Sequence, residues 1–313
     1  MSSTESKLAL MESFAKPMPT PQETMAFFER KHSMLPARIY QYRSLEDYSI
    51  EAIQRQAVWM RGPLGFNDPY DSAFAVHLSL HENIEEEARR AFNEDGRRSE
   101  DEICRAIDAL KQVAELSRQR VSSDLIEGMR KTLKLACFSE VPDSLLMWAH
   151  YADSHRGYLV EYDMTSLTHQ RDLDFARLLF PVVYGDDFSS LIGRWDFLTK
   201  PETGSDIHYP IAAACHKASD WSYEREWRAI IGFGAMTQDG WLHTPVPSRV
   251  ILGARLQTQT TGGQRLLEVL GEHSIPYSTA SFMPDSFKMK LGNASLSQQA
   301  TAETRRCSRS APA

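Results

Sequence analysis

The chain has 313 residues, of which 42% are hydrophobic and 25% charged, a balance that suits one large globular domain or two small ones. A formal net charge of -7 argues against a scaffold that holds nucleic acid mainly through its phosphates, though a local basic cleft stays open. Cys104, Cys137, Cys215 and Cys307 form no Cys-x-x-Cys pair, so neither a zinc site nor a disulfide framework is implied, and a reducing compartment is the simplest reading.

No apolar run approaches the roughly 18 residues of a membrane span, and the start, Met1-Ser-Ser-Thr-Glu-Ser6, is not built like a secretory signal. The expectation is a soluble, cytoplasmic protein without a membrane partner. The Ser/Thr/Pro-rich beginning also permits delivery as a secreted effector.

Residues 1–34 read as a flexible lead with one short helix near 23–31, and residues 291–313 as a disordered tail. Between them, 35–290 reads as a single α+β domain. A strand is expected at 39–43, a helix at 45–56, a strand at 57–61 and a turn-rich stretch at 62–71. A charged helical insert follows at about 82–134, with Ile103, Ile107, Leu110 and Val113 at helical spacing. Then come a strand (133–139), a helix (143–154), strands at 157–163 and 179–184, and a mixed segment at 188–200. A helix at 209–218, strands at 224–233 and 250–252, a helix at 263–270 and a strand at 276–281 complete the domain. Their irregular alternation favours a mixed, mostly antiparallel central sheet.

Three separated motifs carry possible chemistry. In Trp221-Ser-Tyr-Glu224-Arg-Glu226-Trp-Arg228, read as a strand, Glu224, Glu226 and Arg228 project to one face and could grip a sugar or a cationic centre. The plainer reading is a polar sheet face with cross-strand ion pairs. In Cys137–Gly157, Asp143 suits a helix cap and Gly157 the position beyond the helix end. Met147, His150 and Tyr151 share one helical face. Trp148 belongs to the other and reads as core, or as a stacking platform. Cys137 reads as a small buried hydrophobe. In Tyr40-Gln-Tyr42-Arg43, an arginine at a strand end beside a helix start is a plausible phosphate anchor. Asn67-Asp68-Pro-Tyr-Asp71 is a turn former that could alternatively ligate a metal.

These segments, Tyr40–Leu45, Trp59–Asp71, Cys137–Gly157, Trp221–Arg228 and Val250–Gly253, resemble a bacterial family known only as domain of unknown function 2971. The resemblance runs from about residue 35 to 281 and implies no activity. A second, weaker resemblance is to the Arg–Ser–Glu class of mono-ADP-ribosyltransferases. It rests on the order of a strand with Arg43, a strand ending in Ser139 and a strand with Glu224-x-Glu226, although Phe138-Ser139-Glu140 departs from the usual Ser-Thr-Ser. It implies an ADP-ribosyltransferase-like arrangement with NAD as substrate. Arg43 would then lie at the NAD phosphates or ribose, aided by Tyr42 and Arg228. Ser139 would hold the catalytic Glu226, Glu224 would orient a protein or nucleic-acid acceptor, and Trp148, His150 or Tyr151 would border the nicotinamide. Two alternatives stay open: a non-enzymatic sensor or interaction module in bacterial defence or competition, and a metal-dependent nuclease using Asp68, Asp71 and Glu140.

Overall fold

A computed structural model of the chain describes residues 3–14, 20–73, 85–86, 89–90, 99–186, 208–232 and 239–293. The strands are β1 (Arg38–Arg43), β2 (Ala57–Met60), β3 (Lys134–Ser139), β4 (Tyr158–Asp163), β5 (Leu179–Pro181), β6 (Val183–Tyr184), β7 (His216–Lys217), β8 (Glu226–Ile231), β9 (Gly240–His243), β10 (Arg249–Leu252), β11 (Tyr277–Phe282) and β12 (Met289–Leu291). The α-helices are α1 (Ser3–Phe14), α2 (Pro21–Ser33), α3 (Asp47–Gln54), α4 (Glu100–Thr132), α5 (Leu145–Tyr151), α6 (Gln170–Leu178), α7 (His208–Ala214) and α8 (Thr261–Glu272).

Eight strands form the main sheet in the order β12-β11-β10-β4-β1-β3-β8-β5. Only β10 and β11 pair in parallel; the other neighbours are antiparallel. The α+β class and the mixed, mostly antiparallel sheet expected from the sequence are therefore present. Side chains alternate across the sheet as strand geometry requires. One face, with Ile39, Phe138, Val160 and Trp227, is covered by α3, α6 and α8. The other face divides. Tyr42, Leu159 and Ile251 pack beneath Trp148 of α5, while Leu135, Ile230 and Phe180 pack beneath α1 and α2. Cys137, Ser139, Glu226 and Arg228 share that second face and belong to neither apolar cluster.

Several expectations need correction. The supposed flexible lead is two docked helices: Leu10, Met11, Phe14 and Phe27 are buried, and Thr20 with Glu23 closes a capping box on α2. The apolar 10, 11, 14 spacing was the signal for α1. The strand expected from 224 starts at Glu226, because Ser219–Glu224 is a 3-10 turn ended by Arg225 in the left-handed region at φ 44°. The helix expected to 154 stops at Tyr151, and Asp153, Ser154 and His155 follow with φ of 45°, 52° and 70°. Strands β9 and β12 were not anticipated. Residues 188–200 and 294–313 lie outside the described residues. Among the described residues, no helix is long and apolar enough to cross a membrane.

Candidate functional site

The main sheet is not stitched evenly. β1 pairs with β4 at all six of its positions, yet with β3 only at Tyr40 opposite Ser139. Below that pair the two strands part. The start of β3 takes a different neighbour: Arg61, just after β2, exchanges two backbone bonds with Leu135, at 3.1 and 2.8 Å. Backbone groups must be paired when buried, so the segment 59–71 is held as a wedge beside the parted strands. The Gln41 amide reaches across to the Cys137 carbonyl at 3.4 Å. A cleft of about 270 Å³ opens here, lined among others by Arg43, Arg61, Ser139, Tyr151, Glu224 and Glu226.

One wall is a continuous chain of buried charges. Arg228 donates from Nη1 and Nη2 to the two oxygens of Asp71, at 2.8 and 2.7 Å. From Nε and Nη2 it also donates to Glu226, at 2.8 and 3.0 Å, and its last donor meets the Ala214 carbonyl at 2.6 Å. All five guanidinium N–H groups are thereby used. Lys217 Nζ then bridges Glu226 at 3.4 Å to Glu224 at 2.6 Å, and the Tyr151 hydroxyl donates to Glu224 at 2.6 Å. Asp71, Lys217, Glu224, Glu226 and Arg228 are each buried.

The two glutamates are pushed apart electrostatically. Burial alone would raise Glu226, but Arg228 and Lys217 overcome it and hold the carboxyl down to about 2. Burial, with the Glu226 charge beside it, raises Glu224 above the usual carboxylate range despite Lys217 and Tyr151. Burial also pushes the Cys137 thiol well up, so it stays a thiol and not a nucleophile.

The other wall is cationic and aromatic. Arg43, at the end of β1, donates to the Gln41 side-chain oxygen at 2.7 Å. Arg61 lies over the Phe66 ring with 5.0 Å from its guanidinium carbon to the centroid. Neither arginine has a carboxylate partner among the described residues, and Tyr48, Trp59 and Phe66 stand with them along the cleft. Trp59 is partly exposed, braced edge-on by Trp241 with centroids 5.1 Å apart.

The structure thus brings Tyr42, Arg43, Ser139, Tyr151, Glu224, Glu226 and Arg228 to one cleft. It does not bring Trp148 or His150 there. Trp148 is fully buried, edge-on to Tyr42 and donating to the Pro142 carbonyl at 2.8 Å, so no face is free for stacking. His150 points to solvent on the exposed side of α5. Ser139 does not hold Glu226; its hydroxyl donates to the Glu224 carbonyl at 2.6 Å and so fixes the turn that carries Glu224. Arg228 serves the protein's own carboxylates, leaving no donor for a ligand. Asp71 and Glu140 do not converge on a metal: Asp71 pairs with Arg228, Glu140 with Lys7 and Arg225. Among the described residues no group of three or more His, Cys, Asp or Glu could hold a metal ion. Lys217 and Arg61 carry no motif and were missed. A lysine two places beyond the buried run Ile211–Cys215 was the available hint, since a charge there needs a buried partner.

Residues 147–229 match the family model described as Protein of unknown function (DUF2971). The match is narrower than the span expected from the sequence, and it covers Tyr151, Lys217, Glu224, Glu226 and Arg228 of the cleft. No curated protein and no solved structure matches the chain.

Proposed function

Taking the chain to carry this family's segment, which brings no activity with it, we propose that the cleft binds NAD and cleaves its nicotinamide–ribose bond, passing ADP-ribose to a protein or nucleic-acid acceptor or to water. The observation that carries this reading is the division of charge in the cleft. On one wall, three carboxylates share two cations, so one negative charge is left over in a buried place. On the other, Arg43 and Arg61 lack carboxylate partners among the described residues. NAD has the complementary pattern, a cationic pyridinium ring and two phosphates, and guanidinium groups suit phosphates. The cleft is at the small end for a ligand site, so it takes the nicotinamide and its ribose while the rest of the dinucleotide lies across the mouth.

In that reaction the bond from ribose C1′ to the ring nitrogen breaks, its electron pair goes to the departing neutral nicotinamide, and C1′ becomes oxocarbenium-like. A preorganised carboxylate stabilises such a cation without reorganising. Glu226, ionised at every ordinary pH, has that property. The acceptor oxygen or nitrogen then attacks C1′ and loses its proton to water.

A second reading is favoured by one feature: both oxygens of Glu226 are already held by Arg228 and Lys217. A carboxylate so engaged suits a module that binds the nucleotide without turning it over. Incubating the protein with NAD and following nicotinamide release, beside thermal stabilisation by NAD, separates the two. Release lost in Glu226→Gln supports the enzyme. Stabilisation without release, lost in Arg43→Ala, supports the binding module. Neither effect in the wild type rejects both.

A further inference from the structure

The leftover charge of the buried chain has a definite location. Asp71 and Glu226 are each gripped twice by Arg228, and Glu226 also by Lys217. Glu224, at the chain's end, has among the described side chains only the shared Lys217 ammonium and the Tyr151 hydroxyl. The groups facing it are Lys217 on β7, Tyr151 on α5, Glu226 on β8 with Arg228 beyond, Tyr223 in the adjoining turn and Tyr184 on β6. Only one of these besides Arg228 is a cation. A buried carboxylate short of compensation either takes up a proton or finds another positive charge.

Tyr151 makes either state self-consistent. A hydroxyl can donate to a carboxylate or rotate and accept from a carboxylic acid. Its oxygen also receives the Asn67 amide at 3.5 Å, and the half-buried ring lines the cleft, so the hydroxyl connects Glu224 to whatever enters. The direction in which burial and Glu226 move the Glu224 carboxyl agrees with this placement.

We propose that Glu224 is a proton-exchange site, protonated in the free protein and ionised when an organic cation of the pyridinium class enters the cleft beside Tyr151. This rests on reading the cleft as a nicotinamide-dinucleotide site and specifies how it takes the cationic ring. The carboxyl proton passes to the Tyr151 oxygen as that hydroxyl gives its own proton to water. The ligand's charge replaces that of the released proton, so the complex carries the same charge as the free chain.

The test uses 1-methylnicotinamide as a permanent cation and nicotinamide as its neutral counterpart. Binding is measured calorimetrically in two buffers of different ionisation heat, from about pH 5 to pH 8. The expected result is proton release with the cation and none with nicotinamide, and a cation affinity that climbs by up to about tenfold per pH unit before levelling. Glu224→Gln, whose neutral amide should be at least as easily buried, should match wild type at the acid end and show neither release nor climb. Tyr151→Phe should stay folded and shift the midpoint of the climb. Binding of the cation without proton release, release that persists in Glu224→Gln, or no binding at any pH would overturn the proposal. NAD turnover is read separately. Nicotinamide release without proton exchange rejects only the exchange; exchange without nicotinamide release rejects only the transferase reading.

Discussion

Asp71 and Arg228 lie 157 positions apart in the chain and meet through two parallel hydrogen bonds, at 2.8 and 2.7 Å, with both side chains buried. The wedge segment that bears Asp71 is thereby locked to β8, and the far side of the same guanidinium sets the angle of the Glu226 carboxylate. Removing the Asp71 charge leaves Arg228 paired with Glu226 but takes an acceptor from its buried N–H groups. Asp71→Asn should therefore cost about 1–3 kcal/mol, read as a lower midpoint in denaturant. The double change Asp71→Leu with Arg228→Met should cost more than the single change, because Glu226 loses Arg228 as well and is left to share Lys217 with Glu224.

The two neighbouring glutamates should respond oppositely to amide substitution. Glu226 is depressed to about 2 from 4.5, so its contribution to stability is present above 4.5 and is lost as pH falls toward 2. Glu224 is raised, so its contribution is full below 4.5 and is lost as pH rises through its folded value. At neutral pH, Glu226→Gln should lower the melting temperature, whereas Glu224→Gln should hold or raise it. Thermal scans across pH decide this, and two drops of equal size would refute the charge assignment.

Lys31 should act as a buried amine. It is 2% exposed, bonded to the Arg177 and Leu179 carbonyls at the end of α6, with Phe180 beneath it at 4.3 Å. Burial brings it down to about 7 from 10.5. A neutral amine has two N–H donors, which those two carbonyls can accept. The unfolded chain binds the extra proton between 7 and 10.5, so stability should rise with pH across that window. Lys31→Met should abolish the rise in melting temperature without unfolding the protein.

Gly157 has no room for a side chain. A Cβ there would stand 2.0 Å from the Arg43 carbonyl oxygen, which is backbone and cannot swing away. Gly157→Ala should cost about 1–3 kcal/mol or more and displace the end of β1 that carries Arg43. Loss of stabilisation by NAD, greater than that in a surface variant of equal stability, would report the displacement.

The sequence exposed the strands well, because β1, β3, β4 and β8 are short runs rich in apolar and aromatic residues. It also brought Arg43, Ser139 and Glu226 forward in the order in which adjacent strands carry them. It did not disclose the turn before β8. Arg225 adopts a left-handed conformation more usual for Gly or Asn, so no residue type announced it. Asp71 looked like a turn residue because its local context is complete without Arg228, and pairing over such a distance leaves no periodic trace. The role given to Trp148 failed for a related reason: an aromatic ring on a short helix looks the same in sequence whether it faces a cleft or the core.

The single ladder pair between β1 and β3 has a mechanical meaning. By backbone pairing the eight strands divide into a five-strand plate, β12 to β1, and a three-strand plate, β3 to β5, riveted at Tyr40 and Ser139. A ligand lying in the opening touches both plates, so it closes a seam that the backbone leaves unsewn. Small rotations of one plate about that rivet change the width of the opening while leaving each plate's own hydrogen bonds intact. The main sheet thus has its sparsest backbone pairing along the line where the ligand would lie.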